Sequence, residues 1–229
     1  MTPPDFDIRI GSFEDAARAA TGVAVVIDVF RALTTAAVAL ANGAERIVIC
    51  GSLEDALRLR AEGVGRFAMG ERHSLRPEGF DFGNSPVEIA GIDFSGETLI
   101  QTTSNGTRGL IAAAGARRVY AGSFVTANAT AAIIAASGER RIDLIAMGDS
   151  ARTDEDELCA LYLRARLSGL TPDRTTVAAT AKALTPRLMR GSISEADVDA
   201  CLAVGTQDFA IRVGREGGLL VARREDAPR

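Results

Sequence analysis

The chain alternates short apolar runs with segments of helical periodicity, and this alternation constrains its fold more than any other feature. It is typical of α/β folds, in which a largely parallel sheet is covered by helices on both faces. The runs with strand character are Val23–Ile27, Ile47–Cys50, Phe67–Met69, Thr98–Gln101, Arg118–Ala121, Asp143–Met147 and Leu219–Val221. The main helices are predicted at Ala32–Ala41, 52–63, Leu110–Ala114, Ala127–Ala136 and Glu155–Leu167, and throughout 173–213. We therefore predict a three-layer α/β/α fold with a largely parallel or mixed sheet and a helical C-terminal segment.

The length of 229 residues, without a Pro/Gly-rich linker, predicts a single α/β domain over residues 1–229. Because the alternation stops after Gly169, a division into two lobes near residue 170 is the alternative.

Composition excludes several classes of protein. The net charge of −4 provides no basic field for binding nucleic acid. The longest apolar runs, Gly22–Ile27 and Ile142–Met147, are far too short to cross a membrane. The N-terminal residues lack the basic and apolar regions of a secretory signal, and Cys50, Cys159 and Cys201 are too widely spaced for a disulfide framework. We therefore expect a cytoplasmic protein.

The basic residues are almost all arginine. Of 26 Lys and Arg residues, only Lys182 is a lysine, and His73 is the only histidine. A fixed cation that binds an anionic ligand must therefore be arginine, and a mechanism that needs two histidines is excluded.

Polar residues cluster directly after the predicted strands. The clusters are Asp28 with Arg31, 70–73, 102–108, Ser123 with Asn128, Gly148 with Asp149, and Glu155 with Asp156. Ligands of open α/β sheets bind outside the carboxyl ends of the strands. We therefore expect these clusters to meet at one edge of the sheet.

The segment 102–108 reads Thr-Thr-Ser-Asn-Gly-Thr-Arg, between a strand and a helix. Backbone N–H groups and hydroxyls at such a point bind phosphate or sulfate oxygens. An ordinary helix N-cap is the alternative, but a cap needs only one such residue.

The carboxylates could serve chemistry or structure. Asp28 ends an apolar strand, so it is either an ion-pair partner of Arg31 or a metal ligand or nucleophile. The loop 70–86 contains Glu71, Glu78 and Asp81, which are oxygen ligands suited to Mg²⁺, although a solvated charged loop would look the same. Glu155 and Asp156 could cap a helix or join the site. The acids at 195–199 are expected on an exposed helix face.

At these residues the chain resembles the 2-phosphosulfolactate phosphatase family. The matching segments are Asp28-Val-Phe-Arg-Ala-Leu-Thr-Thr, Gly70-Glu-Arg, Glu78-Gly-Phe-Asp-Phe-Gly-Asn-Ser-Pro and Thr102–Arg108, followed by Gly122–Phe124 and Glu155-Asp156. Leu33 stands where the family has a small hydroxyl residue, Ser104 where it has Thr, and 148–156 where it is usually Gly-rich. The changes at Leu33 and in 148–156 are expected to affect substrate fit.

The resemblance implies a Mg²⁺-dependent phosphatase that converts 2-phosphosulfolactate to sulfolactate and phosphate, a step toward coenzyme M. We predict that Asp28, Glu71, Asp81 and Asp156 bind the metal or position water, with Asp28, Arg31, Glu71 and Arg72 as the catalytic set. Substrate binding is predicted for Thr102, Thr103, Ser104, Asn105, Gly106, Thr107, Arg108, Asn84 and Ser123. Arg31, Arg72 and Arg108 are expected to hold anionic oxygens.

Other functions stay open at this point. The enzyme could act on another phosphorylated hydroxy acid, or the chain could bind phosphorylated or sulfonated acids without turnover. A structural protein whose polar edge is only caps and ion pairs is the third possibility. The expected partner is a small anionic substrate, without nucleic acid or membrane, and a homodimer is expected only because it is the commonest assembly.

Overall fold

A computed structural model describes residues 6–148, 154–185 and 193–228. The strands are β1 (Asp7–Ser12), β2 (Val23–Ile27), β3 (Arg46–Ile49), β4 (Phe67–Gly70), β5 (Thr98–Thr102), β6 (Arg118–Gly122), β7 (Arg141–Ala146), β8 (Phe209–Glu216) and β9 (Leu219–Asp226). The helices are α1 (Phe13–Ala19), α2 (Ala32–Ala41), α3 (Leu53–Ala61), α4 (Pro86–Ile89), α5 (Gly106–Ala112), α6 (Ala127–Ala136), α7 (Asp154–Leu167), α8 (Arg174–Leu184) and α9 (Glu195–Cys201). The strands form one sheet in the order β1-β7-β2-β6-β8-β9-β3-β5-β4.

The sheet is mixed because an antiparallel hairpin lies in its middle. β1, β7, β2 and β6 are parallel to one another, and so are β3, β5 and β4. Between these two groups, β8 and β9 pair antiparallel with each other and with their outer neighbours, β6 and β3. Three successive reversals make the two parallel groups run in opposite directions. Strand direction alone therefore does not bring all the polar clusters to one edge of the sheet, contrary to what a parallel sheet would predict.

Helices cover both faces of the sheet, as predicted. One face packs its apolar side chains against α1, α2 and α5. The other face packs against α6, α7, α8 and α9 beside the first parallel group, and against α3 beside the second. β2 is consistent with this arrangement, because all five residues of Val23–Ile27 are fully buried, as expected for a parallel strand covered on both sides.

The ends of β2 and β5 meet over one face of the sheet, where α2 and α5 lie. Gln101 Nε2 at the end of β5 donates to the Ala32 carbonyl oxygen in the first turn of α2 at 2.9 Å. α5 lies so close to β2 that a Cβ on Gly109 would be 2.8 Å from Val26 Cγ1. Strand twist accumulates to roughly 100° over the five steps from β2 to β5, so opposed strands can still bring their carboxyl ends together.

Some elements differ from those predicted. The helical prediction over 173–213 is wrong at its end, because Phe209 begins β8. Its alternating Phe-Ala-Ile-Arg-Val sequence fits a strand paired on both sides. α5 begins at Gly106 instead of Leu110, and β1 and α1 were not predicted. α8 ends at Leu184, and residues 186–192 lie outside the described ranges.

The described ranges contain no helix that is both long enough and apolar enough to cross a bilayer. The lobe division considered near residue 170 falls between α7 and α8, and the hairpin that follows it belongs to the same sheet as the earlier strands.

Candidate active site

The carboxylate of Asp28 lies at the end of β2, where the first turns of α2 and α5 meet. Its Oδ1 accepts a hydrogen bond from the Ala32 N–H at 3.1 Å, and the Gly106 N–H donates to the same carboxylate. Gly106 approaches so closely that a Cβ there would lie 2.7 Å from Asp28 Oδ2. Burial, reinforced by the nearby charge of Glu71, raises the pKa of Asp28 to about 6. The site is therefore centred on a carboxylate held by two helix starts.

Arg31 is paired with Asp197 instead of Asp28. Arg31 Nη1 donates to Asp197 Oδ2 at 3.0 Å, and these two side chains are only 8% and 5% exposed. The expectation of an exposed face for the acids at 195–199 is therefore wrong for Asp197. It is correct for Glu195 and Asp199, which are exposed and form ion pairs with Lys182.

Glu71 holds the turn that follows β5. Its Oε1 accepts the Ser104 N–H at 2.6 Å, and its Oε2 accepts the Ser104 hydroxyl at 3.2 Å and the Ser74 N–H at 2.9 Å. The carboxylate is buried, and its charge reaches Asp28. The structure thus brings Glu71 to the predicted site, at the junction of the loop after β4 and the turn after β5.

Arg72 carries a positive charge with only neutral partners. Its guanidinium donates to the Glu71 carbonyl at 2.7 Å, to the Thr102 hydroxyl at 2.8 Å and to the Gly51 carbonyl at 3.3 Å. Among the ion pairs of the described ranges, none involves Arg72. Its orientation is fixed by these bonds, and its charge has no carboxylate partner within the described ranges.

The segment 102–108 uses many of its polar groups internally. Thr107 Oγ1 accepts the Thr103 N–H at 2.9 Å, and Thr103 Oγ1 accepts the Thr107 N–H at 3.2 Å. Thr102, Thr103, Gly106 and Thr107 are buried, whereas Ser104 and Asn105 are partly exposed. The threonines thus stabilise the turn, as in a helix cap, whereas the partly exposed middle residues leave room for the alternative of anion binding.

Asp156 connects the ends of two strands beside Asp28. Its Oδ1 accepts the Val29 N–H at 2.8 Å, and its Oδ2 accepts the Gly148 N–H at 2.7 Å. It is 1% exposed, and burial, with the charges of Glu155 and Asp28, raises its pKa well above the usual range. Asp28, Glu71 and Asp156 thus form a group of buried carboxylates, the acidic centre of the site.

Two predicted residues are engaged elsewhere. Asp81 accepts from Arg60 Nη2 at 2.9 Å and from the Ala68 N–H at 2.8 Å, so Arg60 already compensates its charge. Arg108 is exposed and pairs with Glu14 of α1 at 2.7 Å. The metal role of Asp81 and the anion role of Arg108 gain no support from these contacts.

Asn84 and Ser123 have buried oxygens that lack protein partners. Within the described ranges, neither Asn84 Oδ1 nor Ser123 Oγ takes part in a hydrogen bond. Ser123 follows β6, whose last residue, Gly122, accepts a hydrogen bond from the Asp28 N–H at 3.2 Å. Buried polar atoms without partners are costly, which is consistent with the ligand contacts predicted for both residues.

The donor chemistry of the site fits a hard divalent cation, but the side chains are not already arranged around one. Asp28, Glu71 and Asp156 supply oxygen ligands of the type that Mg²⁺ prefers. Over 6–148, 154–185 and 193–228, no group of three or more His, Cys, Asp or Glu side chains is arranged to hold a metal ion.

Leu33 does not face the site, although its difference from the family pattern was expected to alter substrate fit. It is 1% exposed and packs in the apolar core beneath α2. The segment 148–156, which was also expected to affect substrate fit, lies largely outside the described residues.

Known proteins are similar to this chain over the region that contains these residues. The family described as 2-phosphosulpholactate phosphatase matches this chain over residues 12–197. A relative from Synechococcus sp. (strain CC9605), named as a probable 2-phosphosulfolactate phosphatase, is 36% identical over 83% of this chain and 79% of its own length. Similarly named proteins from Thermotoga petrophila and Carboxydothermus hydrogenoformans are 44% and 46% identical over 44% of this chain. Those two alignments span 44% and 42% of the relatives' own length.

Proposed function

Because the chain belongs to the 2-phosphosulfolactate phosphatase family, we propose that it hydrolyses the phosphomonoester of 2-phosphosulfolactate to sulfolactate and phosphate. The family match and the names of its relatives support a hydrolase of phosphomonoesters. The substrate, the dependence on Mg²⁺ and a cytoplasmic location are parts of the proposal.

The observation that carries the proposal is the buried acidic centre. Asp28, Glu71 and Asp156 are 7%, 9% and 1% exposed. Like charges buried together are unfavourable unless a cation or a proton compensates them. A protein that only bound anions would gain nothing from such a centre, because it repels the ligand. A phosphatase that uses a divalent cation requires one.

We assign Mg²⁺ to Asp28, Glu71 and Asp156. Bound there, the ion would offset negative charge on the phosphate oxygens and lower the pKa of a water molecule. Asp81 is left out of this set because its negative charge is already compensated by the ion pair with Arg60.

The substrate is held by groups that the fold leaves available. Arg72 binds phosphate oxygens through a guanidinium whose protein partners are all neutral. Arg31 binds a further anionic oxygen, and Asn105, Asn84 and Ser123 add hydrogen bonds. Water attacks the phosphorus while a carboxylate of the acidic centre accepts its proton. The bond from phosphorus to the lactate oxygen then breaks, and the carboxylate passes the proton it accepted to that oxygen, so sulfolactate leaves as the hydroxy acid.

The test is phosphate release from racemic 2-phosphosulfolactate, with and without Mg²⁺, beside phospholactate and p-nitrophenyl phosphate. We expect turnover that needs Mg²⁺, prefers the sulfonate and falls at least roughly 100-fold in Asp28→Asn. Asp93→Asn is the matched control, because Asp93 is exposed and its carboxylate accepts hydrogen bonds from Ser95.

The outcomes separate the alternatives. Turnover of all three esters at similar rates would support phosphatase activity but reject 2-phosphosulfolactate as the specific substrate. Phosphate binding that is insensitive to chelator, without any turnover, would favour a non-catalytic binder. Full activity of Asp28→Asn would show that the site is wrongly assigned.

A further inference from the structure

We propose that Asp197 is a positioning residue that orients the Arg31 guanidinium in the site. This inference rests on the proposed function, in which Arg31 binds an anionic oxygen of the substrate. Asp197 was not among the residues predicted for the site, and its position 166 residues from Arg31 in the chain hides the pairing.

Both oxygens of Asp197 are assigned to defined partners. Oδ2 accepts from Arg31 Nη1 at 3.0 Å. Oδ1 accepts the Ser85 hydroxyl at 2.6 Å and, at 3.3 Å, the Val87 N–H at the start of α4. A carboxylate bound on both oxygens cannot rotate, so the direction of its bond to Arg31 is fixed.

The helix that carries Asp197 is anchored as well. The Asp197 N–H donates to the hydroxyl of Ser194, which caps α9. Val198 and Cys201 of α9 are fully buried in the apolar core. The carboxylate therefore has a rigid backbone behind it, which a positioning residue needs.

Arg31 keeps most of its donors for another partner. A guanidinium has five N–H donors, and within the described ranges only Nη1 donates to a protein acceptor. The other donors remain for substrate oxygens.

Asp197 also keeps Arg31 from pairing with Asp28. The two residues are three positions apart, and the charge of Arg31 acts on the Asp28 carboxylate. Without Asp197, the buried guanidinium would lack its counter-ion, and the Asp28 carboxylate would be available to take its place. Arg31 would then neutralise the acidic centre instead of binding substrate.

The test compares Asp197→Asn with Asp199→Asn, two positions further along α9. Asp199 is exposed and pairs with Lys182, so its substitution is the matched control. We expect Asp197→Asn to lower kcat/KM for 2-phosphosulfolactate by roughly 10- to 100-fold. We also expect it to weaken binding of inorganic phosphate, measured by calorimetry with Mg²⁺ present. Asp199→Asn should leave both unchanged.

A double-mutant cycle with Arg31→Ala distinguishes positioning from general stabilisation. If Asp197 acts through Arg31, adding Asp197→Asn to Arg31→Ala causes no further loss of kcat/KM or phosphate affinity. If Asp197 only holds α9 against α4, the second substitution lowers activity equally in both backgrounds, and the proposal is wrong. Should Asp197→Asn fail to fold, Ser85→Ala removes one bond from Oδ1, together with the cap that the Ser85 hydroxyl gives the Glu88 N–H of α4, and keeps both charges. A loss of phosphate affinity in Ser85→Ala supports the proposal, and unchanged affinity overturns it.

The two measurements separate this inference from the proposed function. Turnover that is unaffected by Asp197→Asn overturns the inference and leaves the phosphatase in place. Phosphate binding that weakens in Asp197→Asn, without turnover of 2-phosphosulfolactate by the wild-type chain, retains the positioning role and rejects the substrate. A wild-type chain that neither turns over nor binds phosphate rejects both.

Discussion

The carboxylate of Asp28 lies in an environment that disfavours its negative charge. Two backbone N–H groups stabilise its carboxylate, while burial and Glu71 disfavour the charge more strongly, so the pKa rises to about 6. Its position after an apolar strand identified it from the sequence, but its environment comes from α5, which the sequence could not place beside it. Asp197 shows the opposite case. Its helix reads Glu-Ala-Asp-Val-Asp-Ala-Cys, so nothing local distinguishes the buried Asp197 from the exposed Asp199.

The raised pKa of Asp28 predicts how the stability of the metal-free protein depends on pH. The folded state keeps the proton up to about pH 6, whereas the unfolded state loses it near pH 4. The contribution of Asp28 to folding is therefore fully present below about pH 4 and is lost as pH rises to about 6. We expect the free energy of unfolding of the wild type, relative to Asp28→Asn, to decline over this range and then level off. Urea unfolding at several pH values in chelator measures this difference.

Asp173→Asn provides a control of opposite sign. Asp173 is exposed, and hydrogen bonds from Thr176 lower its pKa, so its contribution is lost as pH falls. A difference between wild type and Asp28→Asn that stays flat from pH 4 to 7 would contradict the environment described for Asp28.

α5 is a short element whose position depends on having no side chain at its first residue. Most strands were predicted to within two residues, because apolar runs mark them clearly. Periodicity placed the helix after β5 only over Leu110–Ala114, because the polar residues 102–105 and the glycines at 106 and 109 lack helical periodicity. Gly106 and Gly109 are instead required by the close approach of α5 to Asp28 and to Val26.

Gly106→Ala tests this approach. The added Cβ would lie 2.7 Å from Asp28 Oδ2 and 2.8 Å from Ala32 Cβ, so α5 must move away from the site. We expect kcat/KM to fall by roughly 100-fold, with a lower Tm. Gly115→Ala is the control, because a Cβ at Gly115 would meet nothing within 4 Å. Unchanged turnover in Gly106→Ala would show that the contact between α5 and Asp28 is not needed for catalysis.

The mixed sheet depends on the β8–β9 hairpin, which connects two groups of parallel strands with opposite directions. The alternation of strands and helices predicted the layers correctly, because it reflects burial on both faces. It could not predict strand order, because the pairing of β8 with β6 and of β9 with β3 joins residues about a hundred positions or more apart.

Ile211→Pro tests the hairpin. Ile211 pairs with Ala121 on one side and Arg224 on the other, so proline removes a hydrogen bond from the middle of the sheet. We expect Tm, measured by circular dichroism, to fall by roughly 10 °C or more. Ile8→Pro is the comparison, since β1 pairs only with β7 at the edge of the sheet. We expect the decrease in Tm to be smaller in Ile8→Pro. Equal losses would mean that the hairpin does not stabilise the sheet more than an edge strand does.

The central hairpin is also the last part of the sheet to leave the ribosome. Until residues 209–226 have been synthesised, β6 and β3 each lack a neighbour, so two half-sheets present unpaired N–H and C=O groups to their surroundings. The pairings that close this gap join residues far apart in the chain, which makes them slow to form. The newly made chain therefore passes through a stage in which open strand edges can pair with other chains, and molecular chaperones have most to protect at that stage.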